Sequence, residues 1–176
     1  SEAQKQFFLP KILKGEIHFC IGYTEPNAGT DLASLKTRAV RDGDTYVVNG
    51  QKVFTSLAGD ADFIWLACRT DPDAPKHEGI SMLAIDIKTP GIKVDPMHLL
   101  SEHDINTVFF DDVRVPATCL VGKENQGWRL ITSQLNHERV TLCSSGVIER
   151  QLHDVREWAQ QTLLADGRRV IDQEWV

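Results

Sequence analysis

The sequence lacks several patterns that would identify a function at once. Its 176 residues include four cysteines that form no CxxC pair and six histidines without HExxH spacing, so neither a zinc site nor a metalloprotease centre is indicated. The glycine-rich GxGxxG segment of dinucleotide-binding folds does not occur either. We therefore expect buried, reduced thiols, no metal and a cytoplasmic location.

Basic charge and long apolar runs are also scarce. The net charge is -6, and this argues against nucleic acid or an anionic membrane as the main partner, since either would need a basic face. No run of about 18 apolar residues occurs, so we predict no membrane-spanning helix. A composition of 41% hydrophobic and 25% charged residues is ordinary for a globular protein.

The first two-thirds of the chain has the pattern of short strands. Residues 3–14 predict a helix that ends at Gly15. Between Tyr46–Val48 and Lys52–Phe54, Asn49-Gly50 predicts a tight hairpin, because both turn residues tolerate positive φ. The other predicted strands are Thr37–Val40, Phe63–Arg69, Ile80–Ile87, Val94–His98, Val108–Phe110 and Val113–Val115. Their spacing predicts a small barrel or sandwich.

Residues 125–165 have a different pattern, that of one long helix. No proline interrupts it, and Asp166-Gly167 marks its end. Residues 170–176 resemble the start of another helix. Because so long a helix cannot cover a small β domain alone, we expect much of it to be buried against other helices, and the sequence to be the central piece of a larger protein.

A carboxylate lies on the apolar side of that predicted helix. At 100° per residue, Ile131, Leu135, Glu138 and Leu142 share one stripe. One interpretation is a buried ion pair with Arg139 or another arginine, or a solvent-filled notch. The other is a general base, since a desolvated carboxylate gains basicity. Glu149 projects to nearly the same side, which favours the first interpretation.

Two polar segments could hold a ligand. In YTEPNAGTDLASLKT, residues 23–37, Thr24, Thr30 and Ser34 supply hydroxyls, and Gly29 lets backbone N–H groups approach a ligand. An ordinary β-turn is the alternative. In NGQKVFTS, an aromatic residue precedes two hydroxyl residues, a combination that could stack on and hydrogen-bond a flat heterocycle.

Taken in order, five segments resemble the acyl-CoA dehydrogenase family: TEPNAGTD, VVNGQKVFTS, FFDDVRVP, VGKENQGW and LNHER. The resemblance runs from Phe7 to Trp175. It implies an α+β fold with the end of a helical N-terminal domain at residues 1–16. A middle β-barrel domain that binds FAD and acyl-CoA would span residues 17–122. The start of a helical C-terminal domain, with its first long helix, would span residues 123–176.

The resemblance also implies FAD as cofactor. Thr24 would bond the isoalloxazine edge, and Gly29 and Thr30 would lie near the pyrophosphate and the acyl-CoA. Phe54, where the family usually has tryptophan, would cover the flavin ring, and Ser56 would donate near N5. The implied FAD-binding residues are Ile21, Tyr23, Thr24, Gly29, Thr30, Phe54, Thr55 and Ser56.

Glu138 matches one of the two positions at which the family places its catalytic base. It would take the α proton of the acyl-CoA while a hydride leaves Cβ for flavin N5, giving a trans-2-enoyl-CoA. Thr30 and Arg139 are assigned to the substrate side, with Arg139 expected to orient the base or the neighbouring helix. An electron-transferring flavoprotein would accept the electrons.

Within the family, SQLNHERV and the stretch Val155–Gln160 are similar to the bacterial steroid-degrading branch. That resemblance implies an α2β2 heterotetramer acting on a cholesterol-derived side-chain acyl-CoA. Residues 100–107 depart from the family pattern, which puts contacts made there in doubt. The alternatives are a non-catalytic partner subunit, a branched or long-chain fatty acyl-CoA dehydrogenase, a flavin oxidase and a cofactor-free binding module.

Overall fold

The computed structural model describes residues 1–100, 104–142 and 144–174. It divides into two compact units, Ser1–Thr132 and Ser133–Val176. The helices are α1 (Glu2–Leu13), α2 (Gly127–Leu142) and α3 (Ser145–Gln161). The strands are β1 (Phe19–Gly22), β2 (Arg38–Asp42), β3 (Thr45–Ser56), β4 (Phe63–Arg69), β5 (Ile80–Asp86), β6 (Ile92–Met97), β7 (Ile105–Pro116) and β8 (Leu120–Val121).

The strands of the first unit form one eight-stranded sheet. Its order is β6-β7-β3-β2-β4-β5-β8, and β1 pairs with β4. The β1–β4 and β2–β4 pairs are parallel, whereas the other pairs are antiparallel. One apolar cluster contains residues of β7, such as Val108, together with residues of β4 and β5, such as Ile64 and Leu83. The sheet therefore curves around a single core.

An aromatic cluster packs α1 against this sheet. Phe8 packs edge-on against Phe19 and Phe63, with ring centroids 5.3 and 5.1 Å apart. Phe19 and Phe63, neighbours on the paired strands β1 and β4, stack at 5.4 Å. At the other end of the helix, Ser1 provides an N-terminal capping box. The helix predicted over residues 3–14 is confirmed.

The hairpin predicted at Asn49-Gly50 is wrong. Residues 45–56 form the continuous strand β3, which pairs with β7 on both sides of an irregularity between Val48 and Gly50. Asn49 Nδ2 donates to Asp112 Oδ1, and the Asp112 N–H donates back to Asn49 Oδ1, both at 2.9 Å. These side-chain bonds span the irregularity, in which β7 has one more residue than β3. Gly50, with its positive φ, therefore lies within a paired strand and not in a turn.

The two short strands predicted at Val108–Phe110 and Val113–Val115 are likewise one strand, β7. It continues through Asp112, which takes a left-handed φ of 46°. A non-glycine residue tolerates that conformation best when it is aspartate or asparagine. The two acidic residues between the predicted strands therefore lie within one paired strand.

Gly50→Ala is expected to destabilise the protein. A Cβ there would lie 2.7 Å from the Cα of Thr37, in a backbone with φ of 150°. Overpacking of this kind costs about 1–3 kcal/mol in the free energy of unfolding, which urea denaturation measures. Gly59→Ala is the matched control, since its nearest neighbour would be Asn106 Oδ1 at 3.9 Å. Equal stability of both variants would contradict the close approach of Gly50 to Thr37.

The single long helix predicted from residue 125 is two helices, because the backbone is extended at Ser144, with φ -66° and ψ 118°. Serine often precedes a helix, since its side chain competes for backbone bonds within one. Cys143, beside the break, lies outside the described residues. Glu149 is therefore on a different helix from Glu138, and their predicted common phase does not hold.

The burial of this helical segment was predicted against other helices, and it stays a prediction. Val140, Val147 and Leu152 are 79%, 59% and 68% exposed. Instead of a further helix from residue 170, a single 3-10 turn spans Val170–Asp172, and the last two residues lie outside the described ranges. No helix among the described residues is long and apolar enough to cross a membrane.

Candidate active site

The two polar segments singled out in the sequence lie against each other. The Val53 N–H donates to the Thr24 carbonyl at 2.9 Å. Lys52 Nζ donates to the neighbouring Tyr23 carbonyl at 3.0 Å. The start of the residue 23–30 loop is thereby attached to the end of β3, just before Phe54. The structure therefore brings Tyr23 and Thr24, two of the residues predicted to bind a flavin, close to the strand end that carries Phe54.

A buried ion pair, which the sequence analysis missed, supports this contact. Lys52 is 0% exposed, and its Nζ lies 2.8 Å from Glu25 Oε1. Glu25 also accepts hydrogen bonds from the backbone N–H groups of Lys36 and Thr37, at 2.7 and 2.8 Å. A signal was present: Tyr46, Val48 and Lys52 share the inward face of β3 by their period of two.

The charges of this pair depend on each other. Burial by itself would raise the pKa of Glu25, but the Lys52 cation and the hydrogen bonds from Lys52, Thr37 and Lys36 bring it below its usual value. Burial lowers the pKa of Lys52, and the Glu25 carboxylate opposes that shift. Removing either charge would therefore leave its partner buried and uncompensated.

The end of β3 presents an aromatic surface. Phe54 is 62% exposed and Ser56 is exposed, whereas Thr55 between them is buried. Phe54 and Leu57 have φ of 56° and 61°, a left-handed conformation that is unfavourable for such side chains. Phe54 lies at the register shift of β3 between Lys52 and Thr55, so its conformation belongs to a β-bulge. Of the two hydroxyls predicted to meet a ligand, only that of Ser56 is exposed to solvent.

The Thr55 hydroxyl oxygen is buried and has no hydrogen-bond partner in the described part of the chain. The same residue's carbonyl accepts from Asn106 Nδ2 at 3.0 Å. A buried hydroxyl without a partner is unfavourable in an apoprotein and requires an explanation. It is consistent with the binding of a polar group near this strand end.

The remaining predicted ligand-binding residues differ in exposure. Ile21 is 36% exposed on β1, and Gly29 and Thr30 are exposed at the tip of the loop, with open space around Gly29. Tyr23 is buried, and its hydroxyl accepts from Trp65 Nε1 at 3.1 Å. The roles assigned to these residues from the resemblance stay predictions.

Glu138 and Arg139 lie in the second unit, on the last part of α2. Glu138 is half-buried and Arg139 is exposed. Within the described ranges no lysine, arginine or histidine forms an ion pair with Glu138. An ion pair of Glu138 with Arg139 or another arginine, the first interpretation of this carboxylate, is therefore not seen among the described residues.

The VGKENQGW segment attaches the start of α2 to the sheet. Tyr46 donates through its hydroxyl to Glu124 Oε1 at 2.8 Å, and the Asn125 N–H donates to Ser81 Oγ at 2.8 Å. Gly127 packs so closely that a Cβ there would lie 2.8 Å from the Ser81 carbonyl carbon. This segment was recognised in the sequence without an assigned role.

The predicted buried thiols are seen at two positions. Cys20 and Cys68 are buried, and burial raises the pKa of Cys20 to about 11 and that of Cys68 to about 12. Cys119 is only half-buried, contrary to the prediction, and all three are unpaired. The fourth, Cys143, lies outside the described residues.

Comparison with known proteins assigns the family. Residues 20–113 match the acyl-CoA dehydrogenase middle domain, and residues 125–176 match the acyl-CoA dehydrogenase C-terminal domain. The chain is 54% identical to the acyl-CoA dehydrogenase FadE26 of Mycobacterium tuberculosis, over 100% of this chain and 45% of that protein. It is 62% identical to FadE29 of the same organism, over 90% of this chain and 41% of that protein.

Two solved structures show the same fold. The ChsE4-ChsE5 complex from Mycobacterium tuberculosis matches with a TM-score of 0.89 and 54% identity, over 99% of this chain and 45% of that one. The Tcur3481-Tcur3483 steroid ACAD matches with a TM-score of 0.90 and 49% identity, over 99% and 44%. The chain spans less than half the length of these relatives. The predicted resemblance and α+β fold are confirmed, and the chain belongs to the acyl-CoA dehydrogenase family.

Proposed function

We propose that this chain forms the central part of an FAD-dependent dehydrogenase that converts a steroid side-chain acyl-CoA into its trans-2-enoyl-CoA. The observation that carries the proposal is Glu138, a half-buried carboxylate on α2 without an ion-pair partner in the described chain. A partner subunit without catalytic function would have no reason to keep it. Family membership supports the reaction class.

The residues at the end of β3 fit a flavin. The exposed ring of Phe54, held at positive φ, suits stacking, and the exposed hydroxyl of Ser56 suits a hydrogen bond to the ring system. The buried Thr55 hydroxyl without a partner is a further polar group at the same place. FAD, when bound, would accept the hydride from the substrate's Cβ.

Each of the other predicted site residues of this chain would have its own role. Glu138 would accept the α proton, and Arg139 would orient it or the acyl-CoA. Thr24 would bond the flavin edge, Thr30 would lie beside the acyl-CoA, and Phe54 would cover the ring and exclude water. Proton transfer by a positioned carboxylate contributes about 10²–10⁴-fold to a rate.

The substrate and the partners are proposed from the relatives. One solved relative is described as a steroid ACAD, and the ChsE4-ChsE5 and Tcur3481-Tcur3483 structures are each of two proteins. We propose that this chain likewise assembles with a homologous subunit, as an α2β2 heterotetramer in the cytoplasm. An electron-transferring flavoprotein would reoxidise it, as elsewhere in the family.

The test uses the full-length protein, co-expressed with its homologous subunit. The purified complex is mixed without oxygen with a steroid side-chain acyl-CoA, a linear acyl-CoA and a branched acyl-CoA, and the visible flavin absorbance is followed. We expect a yellow protein that bleaches fastest with the steroid thioester. Faster bleaching with a fatty acyl-CoA would contradict the steroid proposal, and a colourless complex would contradict the FAD proposal.

A further inference from the structure

Lys52 has no part in the proposed chemistry, yet it is a fully buried cation at the site. Its Nζ bonds the Tyr23 carbonyl and the Glu25 carboxylate, and the next residue on β3, Val53, bonds the Thr24 carbonyl. Phe54 follows directly. One residue therefore bridges the strand that carries the proposed flavin-stacking ring and the loop that carries the proposed flavin-edge residue, Thr24.

Glu25 binds the end of the same loop. By accepting from the Lys36 and Thr37 N–H groups, it joins the start of the loop to its end. Thr37 in turn is attached to β4, because its carbonyl accepts from the Arg69 N–H at 2.7 Å. The Glu25 side chain is therefore the point at which β3, the loop and its exit towards β4 meet.

Both apolar packing and polar bonds hold this loop, since Tyr23, Ala28 and Leu35 are buried. An open pocket of about 180 Å³ lies between the loop and β3. The polar bonds add directed contacts between the loop and β3, and those that Lys52 donates to Tyr23 and Glu25 are themselves buried.

A buried ion pair is a poor means of adding stability. Its desolvation cost offsets its attraction, so a neutral pair of the same shape is often as stable. What a charged pair with several directed bonds does provide is a defined geometry.

We propose that the Lys52–Glu25 ion pair is a positioning device for the flavin site, holding the Thr24 backbone at a set distance from Phe54–Ser56. The inference rests on the proposed function. Lys52 and Glu25 are positioning residues, since they act through the loop and the strand end.

The test compares Glu25→Gln/Lys52→Met with the wild-type full-length complex. This variant removes both charges, and Gln and Met are close in volume to the side chains that they replace. We expect a melting temperature close to that of the wild type, weaker FAD binding, a changed visible circular dichroism of the flavin and slower flavin reduction, by about 10²-fold. Asp42→Asn/Arg114→Gln, which neutralises an exposed ion pair at 2.9 Å, is the control and should change none of these.

Glu25→Asp provides a second variant, because it keeps the charge and withdraws the carboxylate by one methylene. It should also weaken FAD binding and slow flavin reduction. If both variants fold and keep the wild-type FAD affinity, dichroism and reduction rate, the inference is overturned but the proposed function stands. Loss of folding in both variants would likewise overturn the inference alone. A colourless wild-type complex would instead overturn the proposed function and the inference with it.

Discussion

Replacing Glu138 by glutamine is expected to stop flavin reduction without removing the flavin. Glutamine has nearly the same shape but cannot take a proton from carbon, so the loss should be about 10²–10⁴-fold in the reduction rate. The measurement is anaerobic stopped-flow absorbance of the full-length complex with the steroid acyl-CoA. Ligand binding, seen as a shift of the oxidised flavin spectrum, should persist in the variant.

Glu149→Gln is the matched control for this experiment. Glu149 is an exposed carboxylate on α3, and the helical pattern of the sequence placed it on the same side as Glu138. The Glu149→Gln variant should therefore reduce its flavin at the wild-type rate. A wild-type rate in Glu138→Gln would contradict the assignment of the base, and would favour a non-catalytic subunit or a base elsewhere in the assembly.

Lys52→Met alone is expected to be the most destabilising of the substitutions considered. It removes the cation and leaves the Glu25 carboxylate buried and unpaired, a situation that costs about 3–5 kcal/mol in the free energy of unfolding. Urea denaturation of the full-length protein measures this loss of stability. Adding Glu25→Gln should restore most of the loss, because no uncompensated charge then remains.

The control for Lys52→Met is Lys93→Met, which breaks the exposed Lys93–Asp95 pair and should change the stability little. The pH dependence gives a second check. The folded-state pKa of Glu25 lies below its ordinary value, so its contribution is present above the unfolded-state pKa and is lost as the pH falls. The difference between wild type and Lys52→Met should therefore shrink in acid. A small, pH-independent difference would contradict a charged buried pair.

Where the sequence succeeded, the signal was local. The apolar runs at Phe63–Arg69 and Ile80–Asp86 form strands as predicted, because a run of that length bounded by turn residues suits a buried strand. The Asn49-Gly50 signal was equally local but led to a wrong hairpin, since Asn49 bonds Asp112 on β7 and Gly50 lies closely against Thr37. Neither residue is near in sequence, and propensity carries no information about them.

The candidate site shows the same division between local signals and contacts of residues distant in the chain. The order of its motifs, from TEPNAGTD to LNHER, identified the family and pointed to Glu138. Their roles stay predictions until the experiments above are done. The period of β3 indicates that Lys52 points inward, but its pairing with Glu25 could not be found from the separate motifs, because the two residues lie on different elements.

The sequence by itself determined the family, the α+β class and most strands, because these follow from motif order and from the period of apolar residues. Only the tertiary structure decided that β3 is continuous, that the long helix is interrupted at Ser144 and that a cation is buried beneath the loop. Each of these depends on contacts between residues distant in the chain, or on a local competition between backbone conformations. Both are settled by packing and hydrogen bonding in the folded state.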